Sequence, residues 1–127
     1  MTTEIPLKGS FEILAEERNK TWKVLKTFTV TNEQGKKKTV KEGFEHDRYT
    51  FAPDLPDEVP AIVHDCCYAD QKWDDGTDMT QLEADRFLRF LMKQSANELT
   101  RNCADNYYRG VRFGGWPIWY LRRWGLL

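Results

Sequence analysis

Three prolines near the middle of the chain, Pro53, Pro56 and Pro60, are spaced so that neither a helix nor a strand ladder can run through them. Before this stretch apolar and polar residues alternate, as in strands; after it apolar residues recur every three or four positions, as in helices. A chain of 127 residues with 40% hydrophobic residues can bury one ordinary core. The sequence therefore predicts a single α+β domain with a β-rich part (1–44), a Pro-rich loop (45–60) and a helical part (61–127).

The β-rich part is predicted to form a small antiparallel sheet. The stretches "TWKVLKTFTV" and "KKKTVKEGF" lie on either side of the turn signal "NEQGK", and "FEILAEE" precedes them. This order predicts a hairpin or a three-stranded meander. We interpret the run Lys36, Lys37 and Lys38 as a solvated strand start or a guarded sheet edge rather than a nucleic-acid patch.

About three helices are predicted in the second half. "PAIVHDCCYADQKW" has helical periodicity with Pro60 in its first turn, and "DDGTD" is predicted to end it. Thr80 and Glu83 have the spacing of a capping box, which begins a second helix over about 80–94. A third helix near 96–109 is predicted to stop at Gly110 and to lead into the aromatic-rich C-terminal segment "VRFGGWPIWYLRRWGLL".

Composition argues against several classes of protein. No apolar run approaches the roughly 18 to 20 residues of a membrane span, and "MTTEIPLKGS" lacks the layout of a signal peptide, so we expect a soluble protein that stays where it is made. The three cysteines, Cys66, Cys67 and Cys103, are predicted to be reduced and mostly buried, with inert thiols. With two histidines and no CxxC motif, a structural zinc site is improbable.

The net charge of −1 hides a strong segregation along the chain. Residues 1–44 carry nine Lys or Arg against six Glu, residues 45–85 carry twelve Asp or Glu against two basic residues, and residues 86–127 carry eight basic residues against two acidic ones. The acidic middle is either a cation site or a face that meets a basic partner. Near-neutral overall charge argues against a nucleic-acid partner.

A His-Asp pair is the main candidate for chemistry. His64 and Tyr68 lie one turn apart on one face of the first predicted helix, while Asp65 lies about 100° round the axis. Asp85 occupies a row of otherwise apolar positions on the second helix. A buried carboxylate needs a partner, and His64 is the obvious one.

Two interpretations of this pair remain open. In the catalytic one, Asp85 orients His64 as a base, and Asp65 with Asp47 holds a divalent cation, calcium or magnesium. In the structural one, His64, Asp85 and Tyr68 form a satisfied polar cross-link between two helices.

The C-terminal segment interleaves aromatic residues with arginines. This mixture is typical of protein interfaces and membrane surfaces, but part of it must also close a small core. Core closure, a protein interface, and a nucleic-acid or membrane surface therefore all stay open. The residues predicted to bind a partner are Trp116, Trp119, Tyr120, Arg122, Arg123 and Trp124.

The pentapeptide "HDCCY" at 64–68 resembles the active-site sequence of secreted phospholipases A2. In that family the histidine activates water, the next aspartate binds calcium, and a tyrosine and a later aspartate support the histidine. The resemblance implies these roles for His64, Asp65, Tyr68 and Asp85. It covers five residues, and the glycine-rich calcium loop and the disulfides of that family are not found in this sequence.

A second resemblance covers most of the chain from Gly43 onward. Four motifs in order resemble a family of short phage and prophage proteins of unknown function: "GFEHD" at 43–47, His64-Asp65 with Tyr68, Ala84-Asp85, and an ending with Tyr108, Val111, Arg112, Gly115 and Trp116. After Asp47 that family continues with Ala-Ser-x-Pro, whereas this chain has "RYTFAPDLPD". The resemblance implies a viral or prophage origin but no particular activity.

We therefore expect a phage- or prophage-encoded protein with a His/Asp polar cleft, acting as a metal-assisted hydrolase of ester-type bonds. The alternative is a non-enzymatic virion protein, such as a tail structural or assembly component, that docks through its C-terminal segment. Other phage or virion proteins are the expected partners, and a membrane surface stays open. Synthesis in the host cytoplasm is expected in both cases, with incorporation into the virion in the second.

Overall fold

The computed structural model describes residues 3–4, 15–18, 21–46 and 57–126, with side chains over 23–45 and 57–126. Strands precede helices along the chain, so the predicted α+β class is confirmed. The strands are β1 (Thr3–Glu4), β2 (Ala15–Arg18), β3 (Thr21–Val24), β4 (Phe28–Thr31), β5 (Lys37–Val40) and β6 (Glu45–His46). The helices are α1 (Val59–Asp70), α2 (Gln81–Lys93), α3 (Glu98–Gly114) and α4 (Trp116–Arg123).

The strands form two small sheets. β4 and β5 pair antiparallel, with Phe28 opposite Val40, which confirms the predicted hairpin, and β1 adds to the other edge of β4 in parallel. The turn between β4 and β5 is closed by the Asn32 side chain, whose Oδ1 accepts from the backbone N–H groups of Gln34 and Lys36. The second sheet has the order β2-β3-β6 and is antiparallel throughout. Of the predicted strand "FEILAEE", residues 11–14 lie outside the described residues, and the remainder begins β2.

The stretch "TWKVLKTFTV", predicted as one strand, is two strands in different sheets. In one continuous strand Val24, Phe28 and Val30 would share a face with Lys26. Because those three residues are fully or almost fully buried, such a strand would direct Lys26 into the same core. Instead the chain bends at Lys26, which stays exposed. The prediction of one strand was wrong because it ignored this charged residue on the buried face.

Lys38 is buried, which corrects its interpretation as a solvated residue of a lysine run. Alternate residues of β5 face inward, and this places Lys38 beside the C-terminal end of α1. Its Nζ donates to Asp70 Oδ1 and, at 2.7 Å, to the carbonyl oxygen of Lys72. A cation there complements the partial negative charge of a helix C-terminus, so Lys38 joins the sheet to α1.

α1 has Pro60 in its first turn, as predicted, but ends at Asp70, before the predicted Trp73. Gln71 adopts a left-handed conformation with φ of 57°, and its backbone N–H donates to the Cys67 carbonyl. The chain then turns, and the buried Trp73 packs against Phe87 of α2 with ring centroids 5.6 Å apart.

α2 is confirmed with its capping box: Thr80 Oγ1 accepts from the Glu83 backbone N–H, and Glu83 Oε1 accepts from the Thr80 N–H. α3 does not stop at Gly110 as predicted. Glycine weakens a helix interior but does not break it, and Gly110 lacks the positive φ of a helix-ending glycine. α3 therefore runs to Gly114, and the aromatic segment forms a fourth helix.

α1 lies at the centre of the molecule. It contacts β5, α2 and α4, and residues along most of its length are buried. The main core joins α1 to the inward faces of β4, β5 and α2, and a smaller cluster of Ala61, Leu88, Met92 and Ala104 joins α1, α2 and α3. Among the residues that the structure describes, no helix is long and apolar enough to cross a membrane.

We expect Thr80→Ala to lower the free energy of unfolding by about 0.5–2 kcal/mol, because the first turn of α2 loses a side-chain acceptor. Thr80→Ser keeps the hydroxyl and is the control. Urea unfolding followed by circular dichroism measures both, and equal midpoints for the wild type and Thr80→Ala would contradict a stabilising cap.

Candidate functional site

The Asp85 side chain is the centre of the site. It lies on the inward face of α2 and is 0% exposed, in the same row as the buried residues Leu88 and Met92. A carboxylate at this position loses its hydration, so its oxygens must accept hydrogen bonds from the protein.

Three donors reach the two carboxylate oxygens. His64 Nε2 donates to Oδ1 at 2.7 Å, and the Tyr68 hydroxyl donates to the same oxygen at 2.8 Å. Arg112 Nη1 donates to Oδ2 at 3.0 Å. Since His64 and Tyr68 lie on α1 and Arg112 lies on α3, Asp85 links three helices. The structure thus brings together the three residues predicted to be catalytic and adds a fourth.

Sequence reasoning missed the role of Arg112. The helical rows that pointed to His64 and Tyr68 relate residues within one helix, whereas Arg112 approaches Asp85 from a helix 27 residues further along the chain. The one signal in the sequence was that Arg112 belongs to the last of the four motifs that resemble phage and prophage proteins. That resemblance implied no contact for it. Its side chain is 35% exposed, so the guanidinium lies at the edge of the network.

Two further contacts hold the Tyr68 side chain in place. Gln81 Nε2 donates to its hydroxyl at 3.2 Å, and its ring meets Trp119 edge to face with centroids 4.9 Å apart. Burial, followed by the nearby charge of Asp85, raises the pKa of Tyr68 above its ordinary value. The phenol therefore stays protonated and serves as a fixed donor to the carboxylate.

His64 differs from Asp85 in its access to solvent, because 12% of its side chain is exposed. Its Nε2 bonds to a carboxylate that already accepts from Tyr68 and Arg112, so the neutral ring carries its proton on Nε2. The lone pair then lies on Nδ1, the nitrogen that faces away from Asp85. This arrangement orients an imidazole as a base, and equally cross-links two helices.

The predicted metal ligands are not seen together. Asp65 lies partly exposed on α1, and Asp47 lies outside the described residues. Within residues 23–45 and 57–126, whose side chains the structure describes, no group of three or more His, Cys, Asp or Glu side chains is arranged to hold a metal ion.

The cysteines are free, and Cys66 and Cys67 are buried, as predicted. Burial raises the pKa of Cys66 to about 11 and that of Cys67 well above its ordinary value. Both thiols therefore stay protonated near neutral pH and are poor nucleophiles.

The six residues predicted to bind a partner divide into two groups. Trp119 is 2% exposed, packs on Tyr68, and its carbonyl accepts from Gln71 Nε2 at 2.8 Å, so it is a core residue. The other five are exposed: Trp116, Tyr120, Arg122, Arg123 and Trp124.

The turn between α3 and α4 touches the site at Gly115. A Cβ atom at this position would lie 2.5 Å from the Tyr68 hydroxyl and 2.6 Å from the carbonyl oxygen of Val111. Only a glycine leaves room for the phenol in its present place.

No protein-family model, curated protein or solved structure matches this chain.

We expect Asp85→Ala to lower the free energy of unfolding by about 3–5 kcal/mol, because it removes the acceptor for His64, Tyr68 and Arg112. Asp85→Asn keeps the shape and one acceptor oxygen, and should cost about 1–3 kcal/mol. Urea unfolding compares the two variants with the wild type. An Asp85→Ala protein as stable as the wild type would show that the network does not hold the helices together.

Gly115→Ala should destabilise the protein by about 1–3 kcal/mol, because the added methyl group displaces Tyr68 or the turn. Gly110→Ala is the matched control. Gly110 is exposed, helical and free of neighbours at its Cβ position, so alanine should raise the free energy of unfolding by about 0.5–1 kcal/mol. Thermal unfolding of both variants checks that Gly115→Ala lowers the stability and Gly110→Ala raises it. Stabilisation by Gly115→Ala would refute the close contact.

Proposed function

We propose that this protein is a phage- or prophage-encoded hydrolase of ester-type bonds in which His64 activates a water molecule. The observation that carries the proposal is the 2.7 Å hydrogen bond from partly exposed His64 to fully buried Asp85. A buried acid that fixes the imidazole, with the opposite nitrogen available as a base, is the arrangement that many hydrolytic sites use. The phage or prophage origin rests on the four motifs named above.

In the proposed reaction, His64 Nδ1 accepts a proton from water as the water oxygen attacks the ester carbonyl carbon. The C–O bond to the alcohol then breaks, and the imidazolium returns its proton to the departing alkoxide. Asp85 stabilises the transient positive charge on the ring. Tyr68 and Arg112 are positioning residues, because they hold the carboxylate and act on the reacting atoms only through it.

The roles implied by the phospholipase A2 pentapeptide agree with these contacts, since a tyrosine and a distant aspartate support the histidine in both cases. The same resemblance implies a calcium role for Asp65. We include in the proposal a divalent cation, calcium or magnesium, bound by Asp65 with Asp47. When bound, such a cation would polarise the ester carbonyl.

The experiment is hydrolysis of a series of p-nitrophenyl acyl esters by the purified protein, with calcium, with magnesium and with a chelator. We expect His64→Ala to lower kcat/KM by about 10²–10⁴-fold, the usual contribution of a general base. Asp65→Asn should remove the dependence on cation while keeping His64 in place. Circular dichroism and urea unfolding of each variant separate lost chemistry from lost fold.

A wild-type protein with no activity on any ester, or a folded His64→Ala variant with the wild-type rate, would overturn the hydrolase proposal. Tyr68→Phe supplies a further check, because a positioning role predicts reduced kcat with little change in KM.

A second candidate function is that of a non-enzymatic virion component, such as a tail or assembly protein, in which the Asp85 network only braces helices. The observation that favours it is the exposure of Trp116, Tyr120 and Trp124, since large aromatic residues on a surface are typical of docking sites. Detection of the protein in purified particles, together with absence of hydrolysis, would favour this function over the first.

A further inference from the structure

Arg112 differs from the other donors of the Asp85 network in its exposure. Tyr68 is 7% exposed and the side chain of His64 is 12% exposed, whereas 35% of the Arg112 side chain is accessible. The carboxylate that Arg112 contacts has no access to solvent. In this ion pair the positive partner is therefore the one that a ligand can reach.

The guanidinium of Arg112 makes less use of the carboxylate than an arginine can. Arginine often pairs with a carboxylate in a bidentate manner, with one N–H donor for each oxygen. Here Oδ1 of Asp85 already accepts from His64 and Tyr68. Arg112 bonds to Oδ2, through Nη1 at 3.0 Å. Among the residues whose side chains the structure describes, Asp85 is the only hydrogen-bond partner of Arg112, so other N–H groups of the guanidinium remain available.

His64 and Arg112 border the same carboxylate from two helices. His64 Nε2 bonds to one oxygen of Asp85 and Arg112 Nη1 bonds to the other. The imidazole of α1 and the guanidinium of α3 are therefore neighbours, and both are partly exposed. A small molecule that reaches the imidazole lies within reach of the guanidinium.

The C-terminal part of the chain adds positive charge near this guanidinium. The sequence from Asn106 to Leu126 contains four arginines and no acidic residue. Arg109 lies one turn before Arg112 on α3 and is exposed. On the α1 side, Asp65 is the carboxylate that the proposed function assigns to a cation. The side of the site that belongs to α3 therefore attracts anions.

We propose that Arg112 binds an anionic group of the substrate, a carboxylate or a phosphate, while His64 activates water at the ester. This role depends on the proposed hydrolysis, and the substrate class that follows is an ester with negative charge on a part that does not react. The planar guanidinium fits the oxygens of both anions. Nη1 continues to hold Asp85, and the remaining N–H groups hold the substrate beside the base.

The kinetic test compares two substrates that differ in one charge. They are the mono-p-nitrophenyl ester of adipic acid and the same molecule with its free carboxylate methylated. Release of p-nitrophenol reports cleavage of the same bond in both. We expect the wild-type kcat/KM to be about 10–100-fold higher for the acid, chiefly through KM, which is the effect of one charged hydrogen-bonded contact. A phosphonate in place of the carboxylate shows which of the two anions Arg112 prefers.

Arg112→Gln tests the contact itself. Glutamine loses the charge but keeps an amide N–H that can donate to Asp85, so the preference for the acid should disappear. Arg112→Lys keeps the charge and should keep part of the preference. Arg109→Gln is the matched control, because Arg109 is an exposed arginine of the same helix that bonds to Asn106 and not to Asp85. It should keep the wild-type preference.

Binding of anions without hydrolysis gives a readout separate from activity. The side-chain Nε–H resonance of Arg112 is followed in proton–nitrogen NMR spectra while inorganic phosphate or acetate replaces chloride at constant ionic strength. We expect a saturable shift of this resonance and no saturable shift for Arg109. The titration uses the wild-type protein, so it decides the matter even if Arg112→Gln does not fold. Circular dichroism and urea unfolding show whether each variant does.

Two kinetic results would overturn the anion site. The first is equal kcat/KM for the acid and the methyl ester in the wild type. The second is a preference that Arg112→Gln and Arg109→Gln reduce equally, which would reflect general attraction rather than contact. An Arg112 resonance indifferent to both phosphate and acetate would overturn it as well. Failure of the proposed hydrolysis has a different signature: neither ester is cleaved, while the Arg112 resonance still shifts to saturation.

Discussion

The arrangement of the helices depends on one buried negative charge. Asp85 has no contact with solvent, and removing a carboxylate from water costs several kcal/mol unless donors replace the hydration. Those donors come from α1 and α3, so the charge is satisfied only when three helices have met in one register. Apolar packing around Ala61, Leu88, Met92 and Ala104 brings the same helices together but tolerates small shifts, whereas hydrogen bonds of 2.7 to 3.0 Å do not.

The same contacts fit both a brace and a catalytic base, and the difference lies in the imidazole. A brace needs only the Nε2 hydrogen bond of His64, while catalysis also needs Nδ1 to reach a substrate. The partial exposure of His64, next to a fully buried Asp85, gives the imidazole some of the access to a substrate that catalysis needs. Stability measurements on Asp85 variants report on the brace, and kinetic measurements on His64 variants report on the base, so the two roles are separable.

The sequence predicted what depends on neighbours along the chain, and missed what depends on approach in three dimensions. The rows of α1 and α2 located His64, Tyr68 and Asp85, and the capping box located the start of α2, because both are properties of a single helix. The sequence did not predict Arg112 as a partner of Asp85, the burial of Lys38, or the difference between Trp119 and its exposed neighbours. Each of these depends on which element packs against which. The strand break at Lys26 was predictable in part, since the alternation along the sequence itself places a charged residue on the buried face.

The end of α1 has a further consequence for how the chain folds. Lys38 of the N-terminal hairpin bonds to Asp70 and Lys72, and Gln71 between them donates to the carbonyl of Trp119 near the other end of the chain. Three consecutive residues thus join segments 32 and 48 positions away on opposite sides. Such distant pairings are slow to form, because closing the loops between them lowers the conformational entropy of the chain before the contacts stabilise it. Hairpin, central helix and C-terminal helix therefore belong to one cooperative unit, and removal of either flank would leave polar groups at the middle of the chain without partners.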